Sequence, residues 1–290
     1  MKIVLLGASG QLGQEWQHFL NEEKAGDIDL LSYNSSQLNI TKDEEVRDEL
    51  EKQQPDAVVN CAAFTHVDGA EDQQELARKV NVEAAGNLAR LSDELGFKLI
   101  HYSTDYVFPG KKEDRKDWPE GYRENHPAEP INYYGQTKWE GEQAIRSATD
   151  NYLILRVSWL CGQFGSNFVK TMLRLGKERD KLQVVNDQWG SPSFAENVVE
   201  NSFNLMKADQ RGIYHITSKG LISWYDFASA IFSMGGVNVD VEPVPSEAFP
   251  TKAKRPHFSK LSTAKIKEVP GSKIVGWQEG LKHLLEQLLH

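Results

Sequence analysis

The chain has 290 residues, 39% of them hydrophobic and 26% charged, which is enough to build one large or two modest soluble domains around a substantial core. A formal net charge of −9 argues against a nucleic-acid-binding surface. No apolar run approaches membrane-spanning length, the N-terminal run is too short for a signal peptide, and two cysteines without metal-ligand spacing, Cys61 and Cys161, read as buried, reduced thiols of a cytosolic protein.

Lys2 to Leu6 has the continuous apolar character of a central parallel strand. The next seven residues run from Gly7 through Ser9, Gly10, Gln11 and Leu12 to Gly13, and a helical pattern follows from Gln14 to Asn21. A GxxGxxG between strand and helix permits a tight turn and brings backbone close to a pyrophosphate at the helix N-terminus, where free N–H groups favour anions. A second strand, Ile28 to Tyr33, ends in Tyr33, Asn34, Ser35 and Ser36. That ending has neither the acidic residue that suits the ribose of NAD nor the basic one that suits the 2′-phosphate of NADP. Thr41 reads as the N-cap of a helix from Lys42 to Gln53. Asn39, just before it, is either an adenine contact or a turn residue.

A third strand, Asp56 to Asn60, leads into Cys61, Ala62, Ala63, Phe64 and Thr65, small residues beside which a flat cofactor can lie close to the backbone. Tight helix–strand packing accounts for Ala62 and Ala63 equally well, and Cys61 has no neighbouring base that would make it a nucleophile. One helix is expected from Ala70 to Leu95, with Asn81 at its middle. Asn has low helix propensity, so it either faces solvent or has a specific partner.

The strand Leu99 to Ser103 closes at Thr104, and a Pro-, Gly- and charge-rich loop from Pro109 to Pro130 is long enough to be functional. Tyr134 and Lys138 then open a helix that ends near Ala148. Four residues apart, they share a helix face. An ammonium beside a phenol favours the phenolate, so the Tyr becomes usable as a proton donor and acceptor near neutral pH. The Thr104 hydroxyl, at a facing strand end, is suited to holding a substrate oxygen. A lone YxxxK is more often a Tyr packed on a Lys stem; the glycine motif upstream shifts the reading towards proton chemistry on a carbonyl or alcohol.

After a strand from Tyr152 to Val157, the alternation predicts an α/β fold with a Rossmann-like, doubly wound parallel sheet and its ligand at the carboxyl ends of the strands. Beyond Leu160 the pattern changes to helices from Phe168 to Lys177, Ala195 to Lys207, Trp224 to Met234 and Trp277 to Leu289. A short strand runs from Leu182 to Asn186, another from Gly212 to Ile216 rejoins the sheet, and a Pro- and Lys-rich loop runs from Pro243 to Ser262. The expected division is a dinucleotide-binding domain over residues 1–160, with returning elements at about 182–218, and a smaller α/β substrate lobe mainly over 161–290.

In this order the glycine motif, Asn81, Thr104, Tyr134 and Lys138 resemble the extended short-chain dehydrogenase/reductases. Asn60 to Asp68, Ser103 to Gly110, Leu155 to Trp159, Asn186 to Pro192 and Arg255-Pro256 narrow the resemblance, over essentially the whole chain, to the dTDP-4-dehydrorhamnose reductase family. It implies a cytoplasmic enzyme that reduces the C4 keto group of a dTDP-sugar with NADPH or NADH, for surface polysaccharide synthesis, using Thr104, Tyr134 and Lys138. It implies cofactor contacts from Gly7, Ser9, Gly10, Gln11, Leu12, Gly13, Asn39, Ile40, Cys61, Ala62, Ala63, Thr65, Asn81, Tyr134 and Lys138. Substrate contacts are implied for Val67, Thr104, Asp105, Tyr106, Trp159 and Arg255, with Trp159 on the sugar ring and Arg255 on the pyrophosphate, which a guanidinium grips with two bonds. Without the resemblance, Lys252, Lys254 and Arg255 read as a solvated basic loop.

Three departures qualify the match. Asn39 stands where members usually have Asp. The Arg that many members carry after the second strand is missing, which puts the NADPH preference in doubt and leaves NADPH only slightly preferred over NADH. Glu15 and Glu196 fall at two positions of a magnesium-linked homodimer, but the third is Gln287, so a metal is not required and both magnesium and a homodimer stay open. On the same scaffold, a 4,6-dehydratase needs Asp-Glu after the Thr, whereas this chain has Asp105-Tyr106. A 4-epimerase would use the same Tyr and Lys. A non-catalytic dinucleotide-binding regulatory subunit would have no need of the three intact residues.

Overall fold

Ile3 and Leu5 face one side of a sheet, Val4 and Leu6 the other, and all four are fully buried. Burial on both faces is why this first strand is continuously apolar instead of alternating. The computed structural model describes residues 1–22 and 28–289. In it, β1 (Lys2–Leu6), β2 (Asp29–Tyr33), β3 (Ala57–Asn60), β4 (Lys98–Thr104) and β5 (Tyr152–Val157) form a parallel sheet. The strand Gly212–His215 joins the edge beside β5, giving the spatial order Gly212–His215, β5, β4, β3, β1, β2. This is the doubly wound sheet expected from the alternation. Trp16, Val198 and Leu205 pack on one face, and Leu50, Leu88 and Ile145 on the other.

The second half builds a core of its own. Helices Phe168–Glu178 and Trp224–Met234 pack with the terminal helix Trp277–Leu289 around Phe227, Ile231 and Leu281. The strands Lys181–Val185 and Asp240–Val244 pair in parallel beside them. The loop expected from Pro243 therefore begins inside a strand.

Local chemistry moves several other boundaries. The first helix starts at Gln11, so Gly13 is already helical. Thr41 is not an N-cap: the helix spans Asp43–Gln53 and is preceded by Lys42 without a side-chain cap. The Thr41 hydroxyl and N–H both donate to Asn39 Oδ1, at 2.9 and 3.0 Å, so that hydroxyl closes an Asx turn. Three acidic residues in the first turn, Asp43, Glu44 and Glu45, favour the helix N-terminus in its place. Within the loop from Pro109 to Pro130 lies one helical turn, Asp114–Asp117.

The single helix expected over 70–95 is broken into Val67–Asp72, Gln74–Arg78, a π turn at Lys79–Glu83 and Ala84–Leu95. Asn81 lies in the π turn, 1% exposed. Its side chain accepts from Phe64 N–H at 2.9 Å and donates to Phe64 O and Thr137 Oγ1 at 3.1 and 3.0 Å. It thus fixes the loop after β3 to the helix that carries Tyr134. The Asn81 carbonyl occupies the place a side chain on Gly141 would need, so the close approach requires that glycine.

Candidate active site

Four strand ends converge on one cleft. The turn after β1 requires glycine at Gly7, whose φ is +78° and whose Cβ, if present, would meet Ala62 N at 2.6 Å. Beyond it, Ser9, Gly10, Gln11 and Leu12 line a cavity of about 550 Å³ at the start of the first helix, together with Cys61, Ala63 and Thr65 after β3. The first N–H groups of a helix have no partner within it. They give this wall the chemistry of a dinucleotide phosphate site.

Thr104, Asp105, Tyr106, Tyr134, Lys138 and Trp159 line the opposite wall, with Val67 beside them. Thr104 ends β4 and accepts the Tyr106 N–H at 3.2 Å, capping the short turn Asp105–Val107. Tyr134 and Lys138 lie on the helix Tyr133–Ala148, whose N-terminus is capped by Asn132 through the Gly135 N–H at 2.8 Å. The axis of that helix is set from its middle. Glu142 is ion-paired with Arg156 of β5 at 2.6 Å, and Ser103 of β4 donates to Glu142 at 2.5 Å.

The expected Lys138–phenol contact is not formed. The Lys138 ammonium reaches β4 instead, where Tyr102 O accepts at 2.7 Å and His101 Nε2 lies 3.1 Å away. Burial lowers the Lys138 pKa to about 8, partly offset by Glu142. Burial raises Tyr134 to about 12, against a downward pull from the Thr104 hydroxyl. The physical reason is the direction of the lysine: it runs into the sheet, towards the Tyr102 carbonyl and the His101 ring, and not along the helix face. Asp105, 3% exposed, is pushed up to about 7 by burial. Its Oδ1 accepts from Thr104 at 3.0 Å, while Oδ2 has no hydrogen-bond partner.

Not every expected residue lines this cleft. Gly7, Gly13, Ala62 and Asn81 shape it from behind, and Asn39 and Ile40 lie outside its lining. Arg255 lines an adjacent cavity of about 480 Å³, with Phe168, Trp224, Phe249 and His257. It is paired with Asp68 at 2.7 Å, and Asp68 also takes the Ala253 N–H at 2.9 Å. Trp159, at φ +47°, stacks on Trp224 with ring centres 3.5 Å apart, so one ring faces each cavity. Glu15 is 1% exposed, and Glu196 is engaged by His283 and Gln287 at 2.8 and 2.9 Å. Among the described residues, no group of three or more His, Cys, Asp or Glu side chains is placed to hold a metal ion. Sequence reasoning did not single out Asn60, His101 or the Ser103–Glu142–Arg156 network; polar residues inside apolar strands were the available signal.

All 290 residues match the family model described as the RmlD substrate binding domain. The chain belongs to the RmlD family. It is 37% identical over 301 aligned positions to the dTDP-4-dehydrorhamnose reductase of Escherichia coli K12, covering 99% of this chain and 98% of that one. It is equally similar, at 37% over 286 positions, to the spore coat polysaccharide biosynthesis protein SpsK of Bacillus subtilis, covering 99% and 97%. The crystal structure of dTDP-4-dehydrorhamnose reductase from Bacillus anthracis in complex with NADP superposes with a TM-score of 0.93 at 38% identity, over 99% of each chain. The RmlD-family fold extends to a UDP-glucose 4-epimerase of Thermus thermophilus, at a TM-score of 0.80 and 18% identity, which shows fold alone.

Proposed function

We propose that this chain catalyses NAD(P)H-dependent reduction of the C4 keto group of dTDP-4-dehydro-L-rhamnose to dTDP-L-rhamnose, for surface polysaccharide synthesis. The observation that carries the reading is the convergence of Thr104, Tyr134 and Lys138 on the cleft whose other wall is the glycine turn and helix start. Full-length relatives with that printed activity support it, and the NADP complex of a 38% identical structure supports a nicotinamide cofactor.

The glycine turn, the helix N-terminus and Cys61 to Thr65 would hold the dinucleotide. Held there, NAD(P)H would supply the hydride for C4. Tyr134 donates its phenolic proton to the C4 oxygen, so hydride and proton together convert C=O to CH–OH. Thr104 hydrogen-bonds the same oxygen and fixes it within reach of Tyr134. A phenol whose proton is held at about 12 is present as the donor throughout the neutral range, and the oxygen formed on hydride addition is a stronger base than a phenolate, so the transfer runs downhill. Asp105, whose Oδ2 is buried without a hydrogen-bond partner, would help position the sugar, and Trp159 would offer its ring face. The adjacent cavity, with Arg255 and aromatic walls, takes the nucleotide.

The test is loss of the reduced nicotinamide absorbance with dTDP-4-dehydro-L-rhamnose generated in place. Oxidation that Tyr134→Phe abolishes, with dinucleotide binding within about threefold of wild type, supports the reading; full turnover by that variant removes Tyr134 as the acid. Tight dinucleotide binding without oxidation would point to a different keto-sugar or to a binding role.

A further inference from the structure

Tyr134 lines the cleft beside the glycine turn, whereas Arg255 lines the adjacent cavity. A substrate that reaches from one to the other is gripped at both ends only if the two side chains stand at a set separation. Three pieces of chain meet between them: the short helix Val67–Asp72, the start of the helix Tyr133–Ala148, and the loop that carries Ala253, Lys254 and Arg255.

Every pair of these pieces is tied. Glu71 Oε1 accepts the Tyr133 N–H at 2.9 Å, joining the two helices. Asp68 accepts the Ala253 N–H at 2.9 Å and pairs with Arg255 at 2.7 Å, joining the first helix to the loop. Asn132, 8% exposed, closes the third side. Its Oδ1 accepts the Gly135 N–H at 2.8 Å, which caps the Tyr134 helix, and its Nδ2 donates to Lys254 O at 2.8 Å. Both partners are backbone groups of fixed polarity, so the amide has one orientation and both of its ends are used. Asp or Ser would cap the helix equally well. Neither replaces the second bond, because a carboxylate has no donor and a serine hydroxyl is too short to span to the loop. In sequence Asn132 stands just ahead of Tyr134, and Lys254 directly before Arg255. One side chain therefore links the two cavities by a short path. Beyond Arg255, the His257 N–H donates to Gly110 O at 2.9 Å, so the loop is held on both sides of the guanidinium.

We propose that Asn132 is a positioning residue for Arg255: its bond to the Lys254 carbonyl holds the guanidinium at a fixed reach from Tyr134. The hydrogen bonds stand by themselves, while the diphosphate that Arg255 would meet rests on the reductase reading. Without the Asn132 donor, the Lys254 carbonyl turns to water and the loop relaxes. Binding must then strip that water to bring Arg255 back, and affinity for the diphosphate end falls.

The test is a double-mutant cycle on the full-length protein with dTDP as the probe, read by calorimetry, so it needs no turnover. Asn132→Ser keeps the cap and removes the donor without changing charge. Its dTDP dissociation constant should rise about tenfold, the effect of one lost buried hydrogen bond, while that of NADP stays within about twofold. In an Arg255→Ala background the same substitution should change dTDP binding by less than about twofold, because the group it positions is gone. Asn132→Asp, which keeps the cap and sets a carboxylate against the Lys254 carbonyl, reads the same cycle if the serine variant does not fold. In turnover, the nucleotide-sugar KM should rise by a larger factor than kcat falls. Equal losses for dTDP and NADP, a loss that persists undiminished without Arg255, a fall confined to kcat, or no loss at all would overturn the proposal. Unchanged dTDP binding in Arg255→Ala alone would remove the proposal together with the placement of the nucleotide. A cycle that behaves as expected in a protein that oxidises no reduced nicotinamide would sink the reductase reading and leave the proposal standing.

Discussion

Arg156 and Glu142 are joined at 2.6 Å with side chains 1% and 0% exposed, and the pair ties β5 to the middle of the helix that presents Tyr134. Ser103 and the Glu124 carbonyl complete its hydrogen bonds at 2.5 and 3.2 Å. A buried pair owes its stability to this saturation, since each ion alone loses several kcal/mol of hydration.

Removing one partner should therefore cost more than removing both. Glu142→Gln or Arg156→Met is expected to lower unfolding stability by roughly 3–5 kcal/mol, and a paired apolar replacement by clearly less. Urea denaturation of both singles and the double gives the coupling energy. Additive losses would show that the pair does not act as a unit.

Asp105 gives the protein a pH-dependent stability of opposite sign to the usual carboxylate. Its folded pKa is raised from 3.8 to about 7 by burial. Between these values the folded state keeps a proton that the unfolded chain has lost, so stability falls as pH rises through the window and levels off above it. The full change is on the order of a few kcal/mol. In Asp105→Asn that slope should vanish, so the stability gap between variant and wild type should move between about pH 4 and about pH 8. A constant gap would mean that Asp105 ionises as freely in the folded protein as in the unfolded one.

The Asp68–Arg255 pair joins the short helix Val67–Asp72 to the loop that lines the second cavity. Burial pushes the Asp68 carboxyl up, but the Ala253 N–H and the Arg255 guanidinium together pull it below its ordinary value. Arg255→Ala should raise the KM for the nucleotide sugar by about tenfold while leaving the cofactor KM in place, and Asp68→Asn should move it the same way by less. Steady-state kinetics with each substrate varied decides it. A change in cofactor KM alone would put Arg255 at the wrong end of the site.

Sequence made the frame legible where one element carried the whole signal. The strand–glycine turn–helix at residues 2–13 is local, and so is the spacing of Tyr134 and Lys138. What Lys138 touches was not legible, because His101 and the Tyr102 carbonyl come from a strand 37 and 36 residues earlier in the chain. Asn81 was visible as a residue out of place in a helix, but its partners, Phe64 and Thr137, lie 17 and 56 residues away. Arg255 and Asp68 are 187 residues apart, so without the resemblance the loop holding Arg255 read as solvated charge. Thr41 failed for a nearer reason: Asn39, two residues before, claims its hydroxyl.

Cofactor preference follows from what lies after β2. The Tyr33 hydroxyl donates to Glu49 at 2.6 Å, and burial, reinforced by Glu49, raises its pKa to about 12, so it presents no phenolate. Asn34 Oδ1 is occupied by the Ser36 N–H and hydroxyl and by the Gln37 N–H. The segment from Tyr33 to Ser36 thus offers neither a cation for a 2′-phosphate nor a free carboxylate for a ribose hydroxyl. The expected kcat/KM values for NADPH and NADH lie within about tenfold of each other, a difference of at most ~1.4 kcal/mol. Ser35→Arg, which adds a cation at the strand end, should shift the ratio towards NADPH. Parallel assays with the two cofactors measure both quantities. A wild-type preference above about a hundredfold in either direction would mean that a charged residue from elsewhere in the fold reads the 2′ position.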